Sequence, residues 1–117
     1  MTETDAQEAV LGVILVTHAD YGASLLRAAE FILGTQEQCE TVSVDGSQEV
    51  DDIVTALKDA VARNDQGKGV LILTDMFGGT PTNLSLSLLG TGKLEVLTGV
   101  NLPMLLKVLG SRHMPLG

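Results

Sequence analysis

Two uninterrupted aliphatic runs decide how this chain can fold. Val10-Leu11-Gly12-Val13-Ile14-Leu15-Val16 and Val70-Leu71-Ile72-Leu73 show no polar alternation, so each reads as a strand buried on both faces. Such strands occupy the middle of a sheet and need helices above and below them. The first run leads into the polar loop Thr17-His18-Ala19-Asp20-Tyr21-Gly22. The second leads into Thr74-Asp75-Met76-Phe77-Gly78-Gly79-Thr80-Pro81-Thr82-Asn83, which is a carboxylate, a glycine pair and a helix start. Thr80 suits the N-cap and Pro81 the first helical position, where an N–H would be unpaired anyway.

Helical spacing fills the intervals. The pattern predicts a helix over roughly Ala23 to Leu33, with Leu25, Leu26, Ala29, Ile32 and Leu33 on one face and Gly34 as its C-cap. Glu40-Thr41-Val42-Ser43-Val44 alternates polar and apolar, the mark of an edge strand. Asp45-Gly46 turns the chain, and Ser47 is expected to cap a helix that runs to about Asn64. A short helix over Pro81 to Leu89 follows the third strand, with Gly90 and Gly92 breaking it. Leu94 to Leu97 is a fourth strand. Asn101 caps a last helix with Pro103 in its first turn, Gly110 stops it, and residues 111–117 read as a tail.

Four strands alternating with four helices predict an α/β fold, a doubly wound parallel sheet with helices on both faces. Placing the two most apolar strands in the middle gives the order 2-1-3-4. In such sheets the binding crevice lies beyond the carboxyl ends of the strands, where the connections part to opposite faces. Here that point falls between strands one and three and gathers Thr17-His18 and Thr74-Asp75, distant in sequence, into one pocket.

Those residues suggest a chemistry. A histidine that donates one ring N–H to a carboxylate has its tautomer fixed and its other nitrogen made more nucleophilic. His18 and Asp75 would form that pair. A transferring phosphoryl group asks mainly for hydrogen-bond donors around its oxygens. The amides of Gly78, Gly79 and Thr80 at a helix N-terminus could supply them, helped by the hydroxyls of Thr17 and Thr80. The scheme needs no metal and no cofactor, and no second carboxylate adjoins Asp75. Taken singly these features are bland: a loop histidine on the surface, an aspartate capping a turn, a tight Gly-Gly turn. Their shared place at the switch point gives them weight. Tyr21 is expected to line or cover the pocket, His113 is given no role, and the acidic helix face from Glu49 to Asp59 reads as solvated surface.

Composition narrows the partners. The 117 residues suit one domain, 1–117, with residues 1–8 expected to fray. Aromatic residues make up only 3% of the chain and its net charge is −8, which argue against base stacking and against nucleic acid. The single Cys39 excludes an internal disulfide and a thiolate metal cluster. The apolar runs are far too short to span a bilayer and the start shows no signal-peptide pattern, so a cytoplasmic location is expected.

Taken together, Gly12 to His18, Gly69 to Asn83 and Gly99-Val100-Asn101-Leu102-Pro103-Met104-Leu105 resemble the IIA domains of the mannose/fructose-type bacterial phosphotransferase system (PTS). The string strand–Asp–x–aromatic–Gly–Gly–hydroxyl–Pro–x–Asn beside the histidine motif is specific, and similarity in order and spacing runs from about Val10 to Leu109. The resemblance implies the same strand order. It also implies a phosphohistidine carrier: His18 takes a phosphoryl group from the histidine phosphocarrier protein (HPr-like) and passes it to a IIB domain for sugar uptake. Asp75 would hold the ring, with Gly78, Gly79 and Thr80 around the phosphoryl group. Contact with the membrane would be indirect, through a IIC/IID permease. Met76 stands where many mannose-type members carry a hydroxyl residue, which leaves the sugar open. Relatives usually continue past Met114 with structure that helps them dimerise; with Gly117 last here, a homodimer stays an open expectation.

Alternatives remain at this stage. A IIA-like protein could act as a regulator whose phosphorylation state controls partner proteins. A receiver-like domain phosphorylated on Asp75 would need an acidic pair after the first strand and a lysine after a later one, where this chain has Val16-Thr17-His18 and Thr98-Gly99. A non-catalytic module could bind a small anion at Gly78-Gly79.

Overall fold

A computed structural model describes residues 9–76, 79–88 and 93–113. Strands and helices alternate: β1 (Gly12–His18), α1 (Tyr21–Leu33), β2 (Cys39–Val44), α2 (Val50–Asn64), β3 (Val70–Thr74), α3 (Gly79–Leu86), β4 (Leu94–Thr98) and α4 (Leu102–Leu109). The four strands form one parallel sheet in the order β2-β1-β3-β4. Val16 pairs with Val42 on one side and Thr74 on the other. The two central strands therefore end side by side.

Burial follows the expected division. β3 is buried along its whole length, and β1 everywhere except His18. Alternate side chains feed two cores. Ile14, Val16, Val70 and Ile72 pack with Ile53, Leu57 and Ala60 of α2 and with Leu88. Val13, Leu15, Leu71 and Leu73 pack with Ala29 of α1 and with Leu105 and Leu109 of α4. The edge strand β2 is only half-buried over most of its length. Among the described residues, no helix is long and apolar enough to cross a membrane.

Several local expectations are revised. α1 begins two residues early, at Tyr21. Its core-facing part is confined to the earlier turns: Ala29 is buried, whereas Ile32 is 56% and Leu33 45% exposed. Ser47 does not cap α2, which starts after Glu49. Instead the Ser47 amide and hydroxyl both donate to Asp45 Oδ1, at 2.9 and 2.6 Å, closing a tight turn before the helix. α3 starts at Gly79, so Thr80 and Pro81 lie inside its first turn rather than at its boundary. Leu89, Gly90 and Gly92 lie outside the described residues. Asn101 does cap α4, its Oδ1 accepting from Met104 N–H at 2.9 Å.

The expected tail is partly structural. Arg112 is 6% exposed. Its Nε donates to Leu11 O at 2.9 Å and its Nη2 to Gln38 O at 2.7 Å, while Leu11 N–H donates back to Arg112 O at 3.0 Å. These bonds tie the end of the chain to the strand starts, opposite the ends where β1 and β3 finish.

Candidate active site

The site is built where β1 and β3 end. The His18 ring Nδ1 lies 2.8 Å from Asp75 Oδ2, and the His18 backbone N–H donates to the same oxygen at 3.0 Å. A carboxylate only accepts, so Nδ1 carries the proton, and in the neutral ring Nε2 is the nitrogen with the lone pair. His18 is half-exposed, its side chain 48% accessible, whereas that of Asp75 is 14% accessible. The nucleophilic edge thus meets solvent while its orienting partner is covered.

Burial pushes the Asp75 carboxyl up, but the hydrogen bonds from the His18 amide and ring, and the attraction of the ring, outweigh it and hold the group below its ordinary range. Asp75 Oδ1 is buried with no hydrogen-bond partner among the described residues. Past His18 the chain bends sharply. Ala19 has φ +49°, the left-handed region, and its N–H donates to Val44 O at 2.9 Å. The bend turns α1 away and leaves the imidazole at the rim.

The other wall is the start of α3. Gly79 has φ +78°, and a Cβ placed on it would lie 3.3 Å from Cε1 and 3.5 Å from Nε2 of His18. The first turn of α3 therefore touches the reactive edge of the ring, and its leading amides have no partner within the helix. Thr80 joins His18 in lining a cleft of about 340 Å³ completed by Val44, Asp45, Gly46, Gln48, Val50 and Ile53.

Two buried threonines hold this wall; the sequence placed Thr74 beside the pocket but assigned neither hydroxyl a role. The Thr82 hydroxyl donates to Met76 O at 2.6 Å and lies 2.7 Å from the Thr74 hydroxyl. Thr82 has one hydroxyl proton, already given to Met76, so Thr74 donates to Thr82. The last residue of β3 is thereby joined to the loop bearing Asp75 and to α3. The signal lay in the sequence as Thr74-x₇-Thr82, but a hydroxyl pair at that separation has no distinctive pattern.

Thr17 has a different place from the one expected. It is 1% exposed, and its hydroxyl accepts the Gly22 N–H at 2.7 Å. Successive strand residues point to opposite faces, so Thr17 sits under α1 while His18 turns the other way. Its oxygen is spent on the start of α1 and is not presented to the cleft. Gly78 lies outside the described residues. Tyr21 does not line the cleft either: its hydroxyl donates to Val100 O at 3.1 Å, and Val100 N–H donates to Thr74 O at 2.8 Å. It braces the β4–α4 connection.

A half-exposed imidazole with a fixed tautomer, a covered carboxylate behind it and helix amides in front can take up and release an anionic electrophile. Comparison with known proteins gives this arrangement a context. Residues 12–116 match the EIIA-man family model, described as the PTS system fructose IIA component. The chain is 32% identical over 103 residues to the PTS system mannose-specific EIIAB component of Escherichia coli K12, covering 87% of this chain and 32% of that protein. It thus spans about a third of that relative. It is 29% identical over 105 residues to the PTS system fructose-specific EIIA component of Bacillus subtilis, covering 89% of this chain and 72% of that one. Among solved structures, the phosphotransferase system component EIIA of Streptococcus agalactiae superposes with a TM-score of 0.79 at 34% identity, over 89% of this chain and 80% of that one.

Proposed function

Because the chain belongs to the EIIA-man family of PTS IIA components, we propose that it is a phosphohistidine carrier working through His18. The observation that carries this reading is the 2.8 Å Nδ1–Asp75 contact, which leaves Nε2 bare at the mouth of the cleft. The donor is the phosphorylated histidine phosphocarrier protein. The Nε2 lone pair forms the new N–P bond as the donor's N–P bond breaks, and the donor imidazole leaves with the electron pair. Nδ1 keeps its proton throughout, and the charge gained by the ring is met by Asp75. The amides of Gly79 and Thr80, with the Thr80 hydroxyl, take the phosphoryl oxygens. The reverse chemistry hands the group to a IIB domain for sugar uptake, in the cytoplasm and beside a IIC/IID permease.

The test is direct. Incubation with phosphoenolpyruvate, enzyme I and the phosphocarrier should give an adduct that acid removes and base spares, as a P–N bond requires. His18→Ala should abolish it. A label surviving in His18→Ala, or one with the acyl-phosphate chemistry of an aspartate, would overturn the assignment.

A further inference from the structure

The pairing of β1 with β3 stops short of the site. Its last pair is Val16 with Thr74, so His18 stands two residues beyond it and Asp75 one. His18 is still held on its other side, in register with Val44 of β2. Asp75 has no such support, because the β3–β4 pairing also ends at Thr74, opposite Thr98. The sheet therefore fixes the histidine backbone but leaves its distance from the carboxylate to bonds outside the strand ladders.

Those bonds close into a circuit. From His18 the chain runs through Ala19 and Asp20 to Tyr21, the first residue of α1. The Tyr21 hydroxyl donates to Val100 O at 3.1 Å, and Val100 N–H donates to Thr74 O at 2.8 Å. Thr74 passes directly into Asp75, whose Oδ2 accepts from both the amide and the ring of His18. The far seat of the circuit is rigid: Val100 is 2% exposed and packs in the core shared by α1 and α4. Gly99, at φ +80°, turns the chain towards it as β4 ends. Tyr21 itself is 43% exposed and lies outside both cores, so the fold depends little on its ring. What it supplies is the bond.

We propose that Tyr21 is a positioning residue for phosphoryl transfer: by tying the start of α1 through Val100 to the residue before Asp75, its hydroxyl sets the separation at which the carboxylate meets the His18 ring. The consequence for transfer rests on the phosphohistidine reading, whereas the geometry that Tyr21 controls is measurable without any transfer. With the tie in place Nδ1 points its proton at Asp75 and Nε2 faces the cleft. Once the hydroxyl is removed, water can satisfy the Val100 carbonyl but does not connect it to α1. The fold persists, the carboxylate and the ring lose their fixed separation, and the neutral imidazole divides between its two tautomers.

Tyr21→Phe tests this, since it keeps the ring and removes only the donor. Urea unfolding should place its midpoint close to that of the parent. Nitrogen-15 NMR of the His18 ring, recorded where the imidazole is neutral, should show Nδ1 protonated in the parent and mixed tautomers in the variant. Rapid-quench transfer from the phosphorylated phosphocarrier should show kcat lowered roughly three- to tenfold with KM unchanged, as a misplaced nucleophile requires. Phosphoramidate, a small donor with no docking surface, should label the variant more slowly by a similar factor. Parental ring shifts together with parental kcat overturn the proposal. So does a raised KM with unchanged phosphoramidate labelling, which would make Tyr21 a contact for the donor protein. A lowered urea midpoint with unchanged ring shifts also overturns it, leaving the tyrosine a packing role only. If neither donor labels His18 in the parent protein, the phosphohistidine reading fails, and the ring shifts still decide whether Tyr21 positions the imidazole.

Discussion

Replacing Asp75 by asparagine isolates what the carboxylate does for the imidazole. Oδ2 accepts from both the His18 amide and the ring, at 3.0 and 2.8 Å. The substituted amide must place its oxygen there, because its nitrogen would face two donors. Its NH₂ then occupies the position of Oδ1, which is buried and has no partner among the described residues. Exchanging a charge-assisted bond for a neutral one and stranding a donor costs about 1–3 kcal/mol of stability. Catalysis loses more specifically. As Nε2 bonds to phosphorus the ring becomes cationic, and a neutral neighbour forfeits about 1.4–2.8 kcal/mol of that stabilisation, roughly 10- to 100-fold in rate. Rapid-quench measurement of transfer from the phosphorylated phosphocarrier reads the rate, and urea unfolding reads the stability. The pH dependence adds a second signature. The carboxyl is held below its ordinary value of 3.8. Its stabilising contribution is therefore complete above that pH and lost as the pH falls through the lower folded-state value. Asp75→Asn, with nothing to protonate, should lose stability less steeply on that acid limb. A folded Asp75→Asn protein that transfers within about threefold of the parent would refute the argument, since so small a change leaves no room for ring charge compensation.

Three further changes have expected outcomes. Gly79→Ala forces a side chain into φ +78° and sets its Cβ 3.3 Å from Cε1 of His18; it should cost about 1–2 kcal/mol in denaturant unfolding and slow transfer by tilting the ring. Thr82→Val keeps the shape but leaves Met76 O and the Thr74 hydroxyl unsatisfied; it should destabilise by about 1–3 kcal/mol and slow transfer, with His18 side-chain NMR signals reporting a displaced ring. Arg112→Leu strips donors from Leu11 O and Gln38 O and should lower the urea midpoint by the equivalent of about 2–3 kcal/mol, yet the folded fraction should transfer at the parental rate.

The parts of the molecule visible in the sequence are those that repeat a simple rule. β1 and β3 announced themselves as unbroken aliphatic runs, β2 as an alternating edge, and the strand order followed from ranking their burial. The same rule brought His18 to Asp75, because each lies immediately beyond a central strand. What stayed hidden depends on bonds between unlike partners. Arg112 looked like tail because a guanidinium reaching back to the Leu11 and Gln38 carbonyls leaves no periodic trace. Thr82 seemed an ordinary helix residue, although its hydroxyl links β3 to α3. Thr17 was grouped with His18 by adjacency, whereas the pleat of a strand sends neighbours to opposite faces. Ser47 gave way to Glu49 at the start of α2: its amide and hydroxyl close a turn on Asp45 Oδ1, and the helix begins two residues beyond it. Ile32 and Leu33 fitted the helical stripe, yet both stand half-exposed at the end of α1, which periodicity alone does not reveal.

The clasp between Leu11 and Arg112 also bears on how the protein matures during synthesis. Its partners are 101 positions apart, so closing it demands a long loop and the entropy cost that goes with it. On a ribosome the opening strand emerges long before its guanidinium. Until translation has passed Arg112, a central hydrophobic strand has to wait with part of its anchorage missing, exposed to aggregation or to trapping by a chaperone.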